Sequence, residues 1–271
     1  MPMATAALPR EPPRRLRPLR PVASRQPLAP WPRLQAAPFA ALLAFAVVAA
    51  PPAPAQPLQA HLAVSSDYVV HGVSRSQGDP TLQAQVGADL GAGWSAGLSA
   101  ATMNLNPGRG PNRELGVYLS RARSLDRDWT IAGTLAAYFY SAQIRGLPYD
   151  YHEAHLELSW RERVQLGIAI SPDYSVGTRR GVARDSTALD YTLTVSQPLS
   201  QSVAVSAGIG QYDLSDGLGL RFTYWSAGAV YTGRRLSLAL TWTDAEPITR
   251  TMFSAAATGE RLIATISWRL H

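Results

Sequence analysis

The sequence predicts an all-β fold: a transmembrane antiparallel up-and-down β-barrel of about 12 strands, preceded by an N-terminal signal peptide. Three observations lead to this prediction. Apolar and polar residues alternate in segments that recur about every 18 residues, short and long connections follow each other in turn, and tryptophans lie at the ends of the alternating segments. The alternation indicates strands because successive side chains of a strand point to opposite faces.

The composition is typical of a large folded domain and excludes several classes of protein. The 271 residues are 46% hydrophobic, which is not typical of a disordered chain. The absence of cysteine excludes disulfide scaffolds, thiolate metal sites and cysteine nucleophiles. All 25 basic residues are arginine, and seven of them precede residue 34. The rest of the chain has 18 arginines and 18 acidic residues, so the net charge of +6 gives no support for a nucleic-acid partner.

Residues 1–55 are predicted to be a signal peptide. An arginine- and proline-rich segment precedes an apolar run at 39–50, and Ala53-x-Ala55 forms a small-residue cleavage site. The apolar run is shorter than the about 20 residues of a membrane-spanning helix. We therefore expect cleavage after Ala55 and export of a barrel domain at 56–271, with an N-terminal anchor helix as the alternative.

Twelve strands are predicted in this domain. The alternation is unbroken over Leu82–Leu90 and Leu189–Ser196, and Leu262–Leu270 separates aliphatic from polar positions. In chain order, the predicted strands lie at 61–72, 81–90, 94–103, 113–122, 129–140, 149–160, 164–171, 187–197, 203–212, 220–231, 236–244 and 261–270.

The connections between these strands alternate in length. Tight turns are predicted at 91–93, 124–128, 161–163, 198–202 and 232–235. Longer connections are predicted at 73–80, 104–112, 141–148, 172–186, 213–219 and 245–260. In a meander, this pattern places the long loops at one end and the tight turns at the other, as in outer-membrane barrels.

Aromatic residues at the strand ends predict two girdles at the membrane interfaces. The residues expected there share the face of the aliphatic side chains: Trp94, Trp129, Trp160, Trp242 and Trp268. Tyrosines gather at the loop ends of the strands, at Tyr138, Tyr140, Tyr149, Tyr151, Tyr212 and Tyr224. A soluble periplasmic β-sandwich, which would hold such rings mid-strand in its core, is the alternative fold.

The segment Ser65–Gln83 contains a recognisable motif: Ser66, Asp67, Tyr68, Gly72, Ser74 and Pro80. It resembles the opening signature of the Gcw_chp family, the TorF-type porins of proteobacterial outer membranes. The resemblance implies an outer-membrane barrel with a transport role. His71 departs from the family pattern, which has arginine there, and the chain lacks a terminal aromatic residue. We expect Asp67 to pair with Arg75 across the barrel, and Gly72 to mark a bulge or a close approach. The alternative is that Asp67, Tyr68, His71 and Arg75 line the outer mouth or contact a solute.

Polar residues opposite in parity to the aliphatic face are expected to line the lumen. They are Gln83, Gln85, Asp89, Glu114, Thr134, Glu153, His155, Glu157, Gln165, Asp190, Thr192, Thr241, Thr265 and Arg269. Their excess of carboxylates predicts a weak preference for cations. Barrels of about eight strands are filled by side chains and those of about 16 leave a channel, so 12 strands predict a narrow passage, partly blocked by side chains or an infolded loop.

The function these observations predict is passage of small hydrophilic solutes through a porin of the cell outer membrane. The alternatives are a non-conducting structural or adhesion barrel and a packed polar interior without transport. Expected partners are outer-membrane lipid and lipopolysaccharide, the barrel-assembly machinery and a small solute.

No enzymatic activity, cofactor or metal is expected. No histidine of the exported domain has a serine two residues later, as a catalytic pair on one face of a strand requires. His152 and His155 point to opposite faces of their strand and cannot bind one metal ion together.

Overall fold

Twelve strands form one closed antiparallel barrel, which confirms the predicted fold class. The computed structural model describes residues 58–105, 111–141, 143–144, 147–178 and 181–270. The signal peptide predicted at 1–55 lies outside these residues.

The elements follow the chain in a simple meander. The strands are β1 (Gln59–Ser65), β2 (Val69–Val70), β3 (Val73–Ser74), β4 (Thr81–Gly91), β5 (Trp94–Met103), β6 (Asn112–Ser124), β7 (Trp129–Tyr140), β8 (Gln143–Ile144), β9 (Leu147–Pro148), β10 (Tyr151–Trp160), β11 (Val164–Thr178), β12 (Gly181–Pro198), β13 (Val203–Leu214), β14 (Leu220–Thr232), β15 (Leu236–Ala245) and β16 (Arg261–Leu270). In the part of the chain that the structure describes, two one-turn helices occupy connections, at Ser215–Leu218 and Thr249–Met252. Among the described residues, no helix has the length and apolar character needed to cross a membrane.

The barrel closes through its first strand, which pairs with β16 on one side and with β4 on the other. The two pairs β2–β3 and β8–β9 are separate hairpins outside the barrel sheet. A sheet closed in this way has no free edge. The alternative fold of two packed sheets is therefore wrong.

The two faces of the barrel wall differ in chemistry. Aliphatic side chains at alternate positions point outward and remain exposed, with 48% of the surface of Leu82 and 49% of Leu156 and Leu240 accessible. An exposed apolar surface of this kind suits contact with lipid rather than water. The opposite positions carry polar, small and tyrosine side chains that face the interior.

The ends of the barrel follow the predicted alternation of connections. All five tight turns, from the β4–β5 turn to the β14–β15 turn, lie at the end that also holds the start of β1 and the end of β16. We call this the turn end and the opposite one the loop end. At the turn end, Trp129 and Trp160 are direct cross-strand partners on the outer face, and the guanidinium of Arg161 lies 5.1 Å from the Trp160 ring.

Two predicted elements differ from the structure. Strand β1 ends at Ser65 instead of continuing to residue 72, because the following residues turn into the barrel. The predicted loop 172–186 is a hairpin, in which β11 and β12 remain paired as far as Thr178 and Gly181. The pairing shifts register after Ser171, next to Pro172, which has no N–H for the ladder. The alternation loses its phase there, which explains the prediction of a loop.

Candidate functional site in the barrel lumen

The signature segment folds into the loop-end half of the lumen. We call Ser66–Pro80, which includes the β2–β3 hairpin, the plug. Its backbone is held from two sides, since Ser74 N–H donates to the Ala257 carbonyl at 2.8 Å and the Arg75 carbonyl accepts from Asn104 N–H at 3.0 Å. The plug therefore crosses the lumen and closes the loop-end half, as the expectation of an infolded loop allowed.

Asp67 organises the plug from within. Its Oδ1 accepts hydrogen bonds from the Ser74 and Ser76 hydroxyls, both at 2.6 Å, and from Tyr68 N–H at 2.7 Å. Its Oδ2 accepts from Arg261 Nη1 of β16 at 2.8 Å. The expected pair of Asp67 with Arg75 is therefore wrong, because the carboxylate is satisfied by other donors.

Gly72 lies where the plug meets the wall. A Cβ atom there would lie 2.8 Å from Ala245 Cβ and 2.9 Å from Tyr224 Cβ, and the backbone has a φ of +72°. Only glycine suits both the close approach and the left-handed backbone. The expected close approach at Gly72 is present.

His71 connects the plug to the opposite wall. Its ring stacks on Tyr212 with centroids 3.9 Å apart, and its Nε2 lies 3.6 Å from Asp190 Oδ2. The other oxygen of Asp190 accepts a hydrogen bond from the Tyr224 hydroxyl at 2.6 Å. Like the arginine of the family pattern, His71 carries a positive charge when it is protonated, and it lies beside the buried Asp190 carboxylate.

Buried tyrosines surround the plug, and we call them the tyrosine ring: Tyr138, Tyr140, Tyr151, Tyr174, Tyr212 and Tyr224. Neighbouring rings are in contact, with centroids 4.8 Å apart for Tyr138–Tyr151, 4.9 Å for Tyr151–Tyr174 and 5.9 Å for Tyr174–Tyr212. Edge-to-face contacts at these distances are favourable. Arg75 of the plug lies among them and donates to the hydroxyls of Tyr140 and Tyr174, both at 3.3 Å.

These tyrosines correct the sequence-based interpretation. They gather near the loop end, as the sequence predicts, but the members of the ring face the lumen, whereas aromatic girdles at a membrane interface face the lipid. Tyr138 and Tyr140 have the parity of Thr134, which was expected to be inward, and this parity was the signal that identified their face. Trp242 lies on the outer face near the loop end, where its Nε1 donates to Glu260 at 2.5 Å.

The expected lumen residues divide between the two halves of the barrel. Three carboxylates are buried around the plug: Glu114 Oε1 accepts from the Tyr68 hydroxyl at 2.7 Å, Glu153 accepts from Ser171 Oγ at 3.3 Å, and Asp190 contacts Tyr224 and His71. They lie on β6, β10 and β12, and the plug contacts two of them, since Tyr68 bonds to Glu114 and His71 lies beside Asp190.

The turn-end half of the lumen is more open. Inward-facing side chains there are partly exposed, and Gln85 Nε2 donates to the Tyr118 hydroxyl at 3.1 Å. Asp89 and Arg269 are exposed at the turn end itself. The other expected residues have partly exposed side chains along the wall: Gln83, Thr134, His155, Glu157, Gln165, Thr192, Thr241 and Thr265.

The inward-facing histidines of the wall have no serine as a direct cross-strand partner. His61 is opposite Gln85 and Arg269, and His155 is opposite Thr134 and Ala169. Within the described ranges, no three His, Asp or Glu side chains come together as a metal site.

The chain matches the family described as "Bacterial protein of unknown function (Gcw_chp)" over residues 49–268. The chain belongs to the Gcw_chp family. No curated protein matches it in sequence. This Gcw_chp chain is similar in fold to the NanC porin, with a TM-score of 0.52, 13% identity, and coverage of 79% of this chain and 100% of that one. It is also similar to the KdgM porin, with a TM-score of 0.51, 6% identity, and coverage of 79% and 99%. At these identities the likeness shows a shared porin-type barrel fold.

Proposed function

We propose that this Gcw_chp protein is an outer-membrane porin through which small hydrophilic solutes pass when the plug moves aside. The observation that supports it is a polar, partly exposed lumen that continues from the turn end up to the plug. The plug is fastened to the wall mainly by side-chain hydrogen bonds, such as Tyr68–Glu114 and Arg75–Tyr140. Hydrogen bonds of this kind, with one charged partner, contribute about 1.5 to 3 kcal/mol each, so single bonds of the plug can rearrange.

The charges along this path favour cations. The wall carries Glu114, Glu153 and Asp190 around the plug, and Glu157 lies in the open half. Arg261 is the basic side chain of the wall that faces the plug, and it is already paired with Asp67. We expect the reversal potential in a KCl gradient to show a modest cation preference. A reversal potential of the opposite sign would contradict this part of the proposal.

A non-conducting structural or adhesion barrel is the second candidate, and the occupied loop-end half favours it. Val73, Ser74 and Ser76 of the plug are buried, so the described structure has no open passage through this layer. The two candidates differ in what happens when the plug is removed, because only a porin lumen should then admit ions at a rate that depends on the wall charges.

Planar-bilayer conductance of the mature protein tests the proposal. Correct folding is checked first by gel mobility, since a closed barrel runs faster before boiling than after it. We expect discrete conductance steps for the wild type, and larger steps when residues 68–77 are replaced by a Gly/Ser linker of equal length. Folded protein that conducts in neither form would support the non-conducting barrel.

Export and assembly complete the proposal. Cleavage after Ala55 would release the barrel domain to the periplasm, and the barrel-assembly machinery would insert it beside lipopolysaccharide and phospholipid in the outer membrane. The mass of the protein purified from outer membranes tests the cleavage site. A mass that retains residues 1–55 would support the N-terminal anchor instead.

A further inference from the structure

Arg75 has unusual partners for a guanidinium inside a barrel. Among the described residues, no carboxylate forms an ion pair with it, and its hydrogen bonds go to the two phenol oxygens of Tyr140 and Tyr174 at 3.3 Å. Two other titratable side chains of the plug lie beside an oppositely charged partner, since Asp67 lies 2.8 Å from Arg261 and His71 lies 3.6 Å from Asp190. The guanidinium is therefore held by aromatic side chains of the tyrosine ring rather than by one ion pair. We call its surroundings, the tyrosine ring together with Glu114, the cage.

Glu114 gives this cage an unsatisfied acceptor. The residue is 1% exposed, and while its Oε1 accepts from Tyr68, its Oε2 is buried without a hydrogen-bond partner. A buried carboxylate oxygen without a donor is costly, so few native sites keep one. Arg75 lies near this carboxylate, since Glu114 is the cross-strand partner of Tyr140, whose hydroxyl accepts from Arg75. A ligand with additional N–H donors would satisfy this oxygen.

The tyrosine ring supplies the other half of a cation site. Cations are attracted to the faces of aromatic rings, and the attraction increases away from bulk water. Tyr151 and Tyr174, with ring centroids 4.9 Å apart, are both buried, and the Tyr174 hydroxyl accepts a hydrogen bond from Arg75. Glu153 and Asp190 are also buried in the wall of this layer, so carboxylates accompany the aromatic rings.

We propose that the tyrosine ring is a binding site for small organic cations bearing a guanidinium or a primary amine, and that Arg75 occupies it as a tethered substitute while the plug is in place. The inference rests on the proposed function, because it names the class of solute that the porin would favour. A free cation competes with Arg75 for the cage, so its binding and the displacement of the plug are coupled.

Binding of free arginine to an emptied cage tests this proposal, with citrulline as the probe of the same shape but without the guanidinium charge. We expect calorimetry on the detergent-solubilised protein to show that Arg75→Ala binds arginine about tenfold more tightly than the wild type, with little binding of citrulline. Arg250→Ala, which removes an exposed arginine from the helix Thr249–Met252, is the matched control and should behave as the wild type.

A second substitution tests the acidic side of the cage. Glu114→Gln in the Arg75→Ala background should weaken arginine binding again, because the buried carboxylate is lost. Should Arg75→Ala not give the heat-modifiable band of a folded barrel, Arg75→Gln removes the charge and keeps most of the side chain, and its expected results are the same.

The outcomes separate this inference from the proposed function. Equal binding of arginine and citrulline to the emptied cage, or equal binding of arginine to the variant and the wild type, would overturn the inference even if the barrel conducts. Selective binding of arginine by a barrel that shows no conductance would support the binding site and contradict the porin function.

Discussion

The side chain of Asp67 holds both the plug's own turn and its connection to the barrel wall. It is buried and accepts from three donors of the plug and from Arg261 of β16. The sequence identifies Asp67 as part of the signature, but its partners depend on chain reversal after Ser65. Residues 67 and 261 are far apart in sequence, and no local pattern predicts their contact.

Substitution of Asp67 by asparagine tests this role. The amide keeps the shape but loses the charge opposite Arg261, so we expect the free energy of unfolding to fall by about 3 kcal/mol. Urea titration followed by tryptophan fluorescence measures it. Glu162→Gln, in the exposed β10–β11 turn, removes a carboxylate without such contacts and should leave stability unchanged. Equal stability of the two variants would contradict the role of Asp67.

Gly72 offers a test of how tightly the plug meets the wall. Gly72→Ala would place a methyl group 2.8 Å from Ala245 Cβ, so we expect the plug to be displaced and conductance to rise. Gly219→Ala is the matched control, because that glycine also has a positive φ but has open space around it. The control should show only the backbone cost of about 1 kcal/mol. Equal conductance of both variants would mean that the close approach does not hold the plug.

At the scale of the strands, alternation within each segment was the most informative signal. The predicted strand 236–244 and the observed β15 (Leu236–Ala245) differ by one residue, because the alternation within the segment is regular and a tight turn precedes it. The signal failed where the wall is irregular. Pro172 interrupts the ladder of β11, and the strand continues beyond it with a shifted register that no period of two describes.

The assignment of faces can be tested on one strand. Leu166 points outward with 48% of its surface exposed, whereas the adjacent Gln165 points into the lumen. We expect Leu166→Arg to reduce the free energy of unfolding in lipid vesicles by about 2 to 4 kcal/mol, since its charge would enter the hydrocarbon. Gln165→Arg should cost much less. A larger loss of unfolding free energy for Gln165→Arg than for Leu166→Arg would mean that Gln165, not Leu166, faces the lipid.

A pair of turns at the turn end gives a prediction about pH. Arg161 Nε donates to Asp128 Oδ1 at 2.9 Å, and this hydrogen bond holds the pKa of the Asp128 carboxyl below its usual value. A lowered pKa stabilises the folded state above the carboxyl's unfolded pKa of about 4, and this contribution is lost as pH falls through the folded value. Both groups are exposed, so the contribution is small.

We expect Asp128→Asn to reduce the midpoint of thermal unfolding slightly at pH 7 and not at all in strong acid. Parallel melts of the variant and the wild type across this pH range measure the difference. A gap that persists or widens in acid would show that the ion pair is not its source.

At the scale of the whole molecule, different features of the sequence determine the barrel and the plug. Repetition of strand and turn predicts the closed wall, because each hairpin repeats the same alternation. The plug has no such repetition, and its path is set by scattered partners such as Tyr68–Glu114 and His71–Asp190. Strand number alone predicted a partly blocked passage, but not which loop blocks it. The candidate site therefore became visible only when the plug's contacts were known.

The central claim is that the solute path runs through the lumen and is opened by movement of the plug. The chain has no cysteine, so a reversible lock can be introduced cleanly. Ser254 Oγ donates to Gln77 Oε1 at 2.6 Å, which places the plug beside the β15–β16 connection. Gln77→Cys with Ser254→Cys, joined by a short bis-methanethiosulfonate reagent, would hold the plug in place.

Planar-bilayer conductance of this double variant, before cross-linking, after it and after reduction, tests the claim most directly. We predict conductance before the lock, a fall towards the baseline with the lock in place, and recovery on reduction. Ser254→Cys alone, treated with the same reagent, should show no change. Conductance that is indifferent to the lock, or absent in every state of a correctly folded barrel, would contradict the account.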